Sequence, residues 1–260
     1  MPEPEADLDL LREAAAEAGR IAMRYFRQKP QVWMKAGSSP VTEADYAVDT
    51  FLRETLTAAR PGYGWLSEET ADGPARLGLD RLFIVDPIDG TRGFVDGQTR
   101  WCVSVAVVEK GVSVAGVLDC PAAGEHFWAA RGQGAWLNGA RIEVRRTDGP
   151  FEVGGPQPLF ERLPREWRER SRRVPHIPSL AYRLALIAAG RLDATFVKPN
   201  AHDWDLAGAA VLLDEAGGRL LDRAGRPLRY GGQVTAHGAL AAGSGPLLEA
   251  LAGVVASEQG

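Results

Sequence analysis

Apolar positions set the frame of the chain. Leu8, Leu11, Ala15, Ala18, Ala22 and Tyr25 recur every three to four residues, which predicts an amphipathic helix over 7–28. A second helix is predicted over 43–58, with Thr42 as its N-cap. Short apolar runs at 63–66 and 83–85 read as strands. After residue 100 the pattern turns to alternating or continuous apolar runs at 101–109, 112–120, 125–130, 135–137 and 142–145. Turn residues separate them at Lys110-Gly111, Gly132, Gly134 and Asn138-Gly139, so an antiparallel meander flanked by the two helices is expected. A polar break at 145–150 divides a first unit, 1–147, from a second α/β unit, 148–260. The second unit is predicted to hold helices at 159–170, 179–189 and 203–216, strands at 193–197, 219–221 and near Leu240, and a closing helix at 246–255. Loops are expected at 35–40, and at 72–80 where Gly73, Pro74 and Gly78 suggest mobility.

Composition narrows the class. The 260 residues are 45% hydrophobic and 25% charged, as in ordinary globular proteins. A net charge of -4 gives no basic excess, which argues against a nucleic-acid polymer as partner. No apolar run approaches a membrane span, and the acidic start lacks a signal-peptide core, so a cytoplasmic protein without a membrane partner is expected. Cys102 and Cys120 are too few for a disulfide framework and read as buried thiols. His126, His176, His202 and His237 show no zinc spacing and read as structural or exposed. The glycines of Gly132-Gln133-Gly134 lack the strand-turn-helix context of a nucleotide loop.

The candidate chemistry lies at 83–94. Asp86 follows the apolar run Phe83-Ile84-Val85, and Pro87 cannot continue a ladder, so a tight turn is expected to carry Asp86 and Asp89. Two carboxylates that close repel unless cations or protons separate them. Gly90 permits unusual backbone angles, and Thr91 supplies a hydroxyl where a helix would begin, a setting suited to phosphate. Asp-Pro and Asp-Gly pairs are also ordinary turn formers, so the bland reading is two turns. The full string D-P-I-D-G-T resembles the metal-binding signature of the inositol monophosphatase family of Mg²⁺-dependent phosphatases. Three further stretches resemble the family's other motifs, in its order: Val41-Thr42-Glu43-Ala44-Asp45, Glu68-Glu69, and Trp204-Asp205-Leu206-Ala207-Gly208 followed by Glu215-Ala216-Gly217-Gly218. Taken singly, Asp45 is a helix-start carboxylate and Glu68-Glu69 a solvated pair.

The resemblance implies a layered αβαβα sandwich with the site between the two halves. It implies two to three Mg²⁺ ions held by Glu68, Asp86, the Ile88 carbonyl, Asp89 and Asp205. Thr91 would polarise an attacking water oriented by Asp45, with Glu68 assisting. The N–H groups of Gly90 and Thr91 would hold phosphate oxygens, and Lys35 and Glu69 would stand just outside the metals. Attack would be in-line, without a phosphoenzyme. A loop near 35–40 moves over the site in this family, members are usually homodimers, and lithium sensitivity is expected.

Members act on inositol monophosphate, fructose 1,6-bisphosphate, histidinol phosphate or 3'(2'),5'-bisphosphate nucleotides. Where inositol-selective relatives carry an acidic residue seven positions before the last metal Asp, this chain has Lys198. A cation there suits a second phosphate. Ser179, Ala181 and Arg183 are the other expected substrate contacts, and Arg165, Arg168, Arg170, Arg172 and Arg173 form either a solvated face or an anion-attracting rim. The string D-P-I-D-G-T-R-G-F looks closer to the bisphosphate nucleotidase branch. The partner expected is thus a small phosphorylated substrate. Two alternatives from other classes are a catalytically silent metal- or phosphate-binding regulator and a two-metal nuclease; the lack of a basic-aromatic surface disfavours the nuclease.

Overall fold

A computed structural model describes residues 4–35 and 39–257. Its helices are α1 (Pro4–Met23), α2 (Glu43–Ala59), α3 (Thr91–Val95), α4 (Gln157–Glu161), α5 (Arg165–Glu169), α6 (Leu180–Ala188), α7 (Asp203–Glu215) and α8 (Gly245–Ala256). Seven strands form one sheet in chain order, from Gly64–Ser67 and Arg81–Asp89 through Cys102–Glu109, Val112–Cys120 and Glu125–Ala130 to Ala135–Leu137 and Ala140–Ile142. Gly64–Ser67 pairs parallel with Arg81–Asp89, and every later pairing is antiparallel.

These strands read as unbroken apolar runs because both faces are covered. Phe83 and Val85 face α1 and α2 with Leu11, Ala18, Val48 and Leu52. Leu82 and Ile84 belong to a second core with Leu184 of α6 and Leu206 and Leu212 of α7. Beyond α6 and α7 lies a five-stranded mixed sheet, whose neighbours run Ser171–Arg173, Phe151–Gly154, Ala194–Val197, Leu240–Gly243 and Arg219–Leu221. Its outer face packs Phe151, Val153, Phe196 and Ala241 against Leu248 and Leu251 of α8. The order of layers is therefore αβαβα. The changeover from one sheet to the other falls between Ile142 and Phe151, around the expected boundary at 147/148, and the middle core draws on both sides of it.

The small residues of α7 allow its close seating on the large sheet. A Cβ added to Gly116 would stand 2.4 Å from the Gly208 carbonyl, and one added to Gly208 would stand 2.8 Å from Ser104 Oγ.

Four local expectations are corrected. The strand does not stop at Asp86: it runs from Arg81 to Asp89, and a register shift between Asp86 and Asp89 accommodates Pro87 without a ladder bond. The single helix predicted over 159–170 is two, α4 and α5, broken before Pro164. The stretch 72–80 holds a 3-10 turn, Pro74–Gly78, pinned by the buried Arg76. Arg76 donates to both Asp72 carboxylate oxygens at 2.6 Å and to the carbonyls of Gly231 and Gly232 at 2.7 and 3.1 Å. Asp203, a residue type suited to cap the helix predicted from 203, does not cap α7; His202 occupies that position and Asp203 is bound elsewhere. Of the loop expected at 35–40, residues 36–38 lie outside the described residues. Cys102 and Cys120 are buried and free, as expected. No helix among the described residues is long and apolar enough to cross a membrane.

Candidate active site

The site forms where the C-terminal ends of the parallel pair meet the start of α7. Ser67 is in register with Val85, so Glu68 leaves its strand beside Asp86. Asp86, Asp89 and Asp205 each offer a carboxylate oxygen, and these oxygens lie within 4.8 Å of one another. Asp205 is fixed because its Oδ2 accepts from His202 N at 2.6 Å in the first turn of α7. Asp86 Oδ1 accepts from Ile88 N at 3.1 Å.

Asp89 is held most tightly. Its Oδ2 accepts from Ser179 Oγ at 2.5 Å and from Ala181 N at 2.6 Å, at the start of α6. Ser179 and Ala181 are themselves fully buried. The structure therefore corrects their expected role: they anchor a carboxylate and do not line the open cavity. Gly90 explains the close approach of these two segments. Its φ of 91° suits glycine, and a Cβ there would stand 3.0 Å from Ser179 N.

Thr91 and Asp45 come together as expected. The Thr42 N–H and hydroxyl donate to Asp45 Oδ2 at 2.8 and 2.6 Å, closing a capping box at the start of α2. Asp45 Oδ1 is left facing Thr91 Oγ1 at 3.3 Å, and that hydroxyl also lies 2.9 Å from the Ile88 carbonyl. Lys35 Nζ binds Glu68 at 2.9 Å and Glu69 at 2.5 Å, so Glu68 stands beside the aspartate triad in the grip of a lysine.

Charge crowding is written in the proton affinities. Burial first, then Glu68, Asp89 and Asp205, push the Asp86 carboxyl well above its ordinary range. Burial and Asp89 do the same to Asp205. Asp89 is pushed up to about 6 by burial against the pull of the Ser179 and Ala181 bonds. Burial also raises Asp45 to about 6 and Glu69 to about 7. Burial pulls Lys35 down, but Glu68 and Glu69 more than offset it, and its pKa rises. Crowded, buried oxygen ligands of this kind are stable only with protons or with hard cations among them, so the donor set fits Mg²⁺-like ions.

A cavity of about 450 Å³ opens from Asp89 and Asp205 and is walled by Arg173, His176, Arg183 and Lys198. Of the expected basic rim only Arg173 reaches it. Arg165 pairs with Glu169, Arg168 donates to Glu161 O, Arg170 binds Asp148 O and lies over Phe151 and Trp167, and Arg172 pairs with Glu152. A larger cavity, about 620 Å³, lies between Trp167 and the start of α8 and has, of the residues expected at the site or its rim, only Arg170 in its lining.

The comparisons with known proteins agree with this geometry. The sequence pattern of the Inositol monophosphatase family matches residues 3–259. The chain belongs to the inositol monophosphatase family. It is 35% identical to the histidinol-phosphatase of Mycobacterium tuberculosis over 248 residues, covering 88% of this chain and 91% of that protein. It is 34% identical to the inositol-1-monophosphatase of Rhizobium meliloti over 260 residues, covering 95% of each. The crystal structure of the extragenic suppressor protein suhB from Bartonella henselae superposes with a TM-score of 0.84 at 29% identity, over 98% of this chain and all of that one. Inositol monophosphatase family members are hydrolases of phosphate monoesters, and this chain is an enzyme of that kind.

Sequence reasoning missed two residues that shape the site. Asp49 binds the Ser67 hydroxyl and, at 2.6 Å, that of Thr70, so it braces the segment carrying Glu68 and Glu69 from both sides. The available signal was its position four residues after Asp45, on the same face of α2. Asp203 accepts from Gly231 N at 2.7 Å and contacts His237 Nε2 at 2.7 Å, tying the start of α7 to a distant loop. No local signal announces that contact.

Proposed function

We propose that this protein is a Mg²⁺-dependent phosphomonoesterase acting by direct attack of water. The observation that carries this reading is the buried Asp86–Asp89–Asp205 triad beside the Thr91–Asp45 contact. Those three carboxylates, with Glu68 and the Ile88 carbonyl, would hold two to three cations. Such cations would neutralise the phosphate dianion, lower the pKa of water so that it attacks as hydroxide, and stabilise the alkoxide that leaves and is protonated to the alcohol. Glu68 would exchange its Lys35 partner for a cation, with Lys35 and Glu69 remaining as neighbours. The Thr91 hydroxyl would give its hydrogen to Asp45 Oδ1 and accept through a lone pair from the attacking water. The Gly90 and Thr91 N–H groups, at the first turn of α3, would hold phosphate oxygens. No side chain is required to form a phosphoenzyme.

For substrate, we favour a compound with a second anionic group, and among these a 3'(2'),5'-bisphosphate nucleotide such as 3'-phosphoadenosine 5'-phosphate. Lys198 and the cationic cavity support this reading. Inositol 1-phosphate, the second reading, is favoured by the likeness to the Rhizobium inositol-1-monophosphatase, and histidinol phosphate by that to the Mycobacterium histidinol-phosphatase. Phosphate release with Mg²⁺ from 3'-phosphoadenosine 5'-phosphate, inositol 1-phosphate, fructose 1,6-bisphosphate and histidinol phosphate separates them. The expected result is preference for the bisphosphate nucleotide and loss of all release in Asp89→Asn. Release from none of them, with Mg²⁺ binding intact, would instead support a silent regulator. Lithium inhibition, a homodimer and a cytoplasmic location belong to the same reading and are checked by inhibition, sedimentation and fractionation.

A further inference from the structure

Helix α2 reaches the site with two carboxylates on one face. Asp45 meets Thr91, and Asp49, about 6 Å further along the axis, meets the turn that follows the strand Gly64–Ser67. Asp49 is buried, and no cation among the described residues pairs with it. Its two oxygens are taken by hydroxyls instead. Ser67 Oγ donates to Oδ1, and Thr70 Oγ1 donates to Oδ2 at 2.6 Å. Each hydroxyl has a single hydrogen, so each is left to accept. Ser67 Oγ accepts from Glu69 N at 3.3 Å, and Thr70 Oγ1 accepts from Trp65 Nε1 at 3.2 Å. Glu68 and Glu69 therefore sit in a turn whose two ends close on one carboxylate.

A buried charge is a costly way to close a turn. It does what a neutral amide cannot: a carboxylate accepts from both hydroxyls at once, through separate oxygens. The charge thus fixes which way both hydroxyls point, and with them the Glu69 N–H and the Trp65 indole. The Glu68 side chain is not part of this network. Its partner is Lys35 at 2.9 Å, and Lys35 also binds Glu69 at 2.5 Å. A fixed backbone with a releasable side chain lets Glu68 turn from Lys35 to a cation without moving its strand. The aspartate triad owes nothing to Asp49. Asp89 rests on Ser179 and Ala181, Asp205 on His202 N, and Asp86 on Ile88 N.

We propose that Asp49 is a positioning residue for Glu68. Through Ser67 and Thr70 it presets the Glu68 backbone for a cation and holds it at a fixed spacing along α2 from the Thr91–Asp45 pair. It acts through the turn and not by ligation, since hydroxyls already occupy both its oxygens. The use of Glu68 as a ligand rests on the phosphomonoesterase reading above; the tether itself does not.

The test counts bound Mn²⁺ by electron paramagnetic resonance and follows Mg²⁺-dependent phosphate release, in the wild type and in Asp49→Asn, Ser67→Ala and Thr70→Val. Glu68→Gln and Asp89→Asn assign the classes of bound ion. Asp49→Asn should weaken the ions lost in Glu68→Gln by about tenfold, the worth of one charge-assisted bond, and leave those lost in Asp89→Asn within about threefold. The Mg²⁺ concentration for half-maximal phosphate release should rise by the same factor. The kcat at saturating Mg²⁺ should fall by less than that factor, because a bound cation reorders the turn. Ser67→Ala and Thr70→Val each keep one tether and should show part of the shift. A lower melting temperature in Asp49→Asn with both ion classes unmoved, or both classes weakened alike, would overturn the proposal and leave the phosphatase reading standing. The expected Mn²⁺ shifts in a protein that hydrolyses no phosphate ester would do the reverse. If Asp49→Asn fails to fold, Ser67→Ala and Thr70→Val decide by the same readouts.

Discussion

Asp89→Asn makes a sharp prediction because the same carboxylate is a burden without metal and, on the proposed reading, a ligand with it. The Asp89 carboxyl ordinarily titrates at 3.8 and is pushed up to about 6, by burial before any other cause. At about 1.4 kcal/mol per pH unit, keeping it ionised costs the metal-free fold about 3 kcal/mol near pH 8. Asparagine is neutral and can still accept from Ser179 Oγ and Ala181 N. It should recover about 2 kcal/mol of that cost, raising the melting temperature in EDTA by about 4–8 °C. Saturating Mg²⁺ should reverse the order, because only the wild type gains the binding energy of the loaded site. Phosphate release should be abolished throughout. Thermal melts of both proteins with EDTA and with Mg²⁺, read beside a phosphate assay, check all three. The reasoning is refuted if Asp89→Asn melts below the wild type in EDTA, or if it keeps the wild-type response to Mg²⁺.

Three more outcomes follow from the geometry. Asp45 and Asp89 have folded values near 6, above the ordinary 3.8, so the folded form holds more protons and stability falls as pH rises from about 4 to about 6. EDTA-treated protein should therefore melt higher at pH 5 than at pH 7.5, with a smaller difference in Asp45→Asn; a flat profile would contradict this. Gly116→Ala should cost about 2–3 kcal/mol and weaken Mg²⁺ binding, because its Cβ would press on the Gly208 carbonyl and displace the helix carrying Asp205. Melts and a Mg²⁺ titration measure both effects. Arg76→Ala leaves the Gly231 and Gly232 carbonyls without their donor and should cost about 1–3 kcal/mol, with faster proteolytic cutting within 72–80 as a direct readout.

Periodicity made the helices α1, α2, α6 and α7 and the meander legible, since burial of one or both faces imposes a repeat on the sequence. The motif resemblance carried the candidate ligand carboxylates: Glu68, Asp89 and Asp205 sit at a strand end or in a first helical turn, whereas Asp86 lies inside its strand. Pro87 misled because a bulge can absorb a missing ladder bond, a choice made by the partner strand. Pro164, by contrast, was a stop signal that the charged run around it obscured. Ser179, Ala181, Asp49 and Asp203 act through partners 18 to 92 residues away, and no local pattern encodes such pairings.

The start of α6 joins the two halves of the proposed activity. Ser179 and Ala181 hold Asp89, and Arg183 stands just beyond them on the same helix. Asp45, Glu68, Asp86, Asp89 and Thr91 all come from the first half of the chain, whereas Arg173, His176, Arg183 and Lys198 come from the second. Asp205, on α7, also comes from the second, so both halves build the acidic site, while the cationic wall of the cavity belongs to the second alone. A chain about equally similar to a histidinol-phosphatase and to an inositol-1-monophosphatase fits that arrangement. On the proposed reading, the first-half motifs together with Asp205 carry the reaction, and the charge on the second-half wall of the cavity selects the ester.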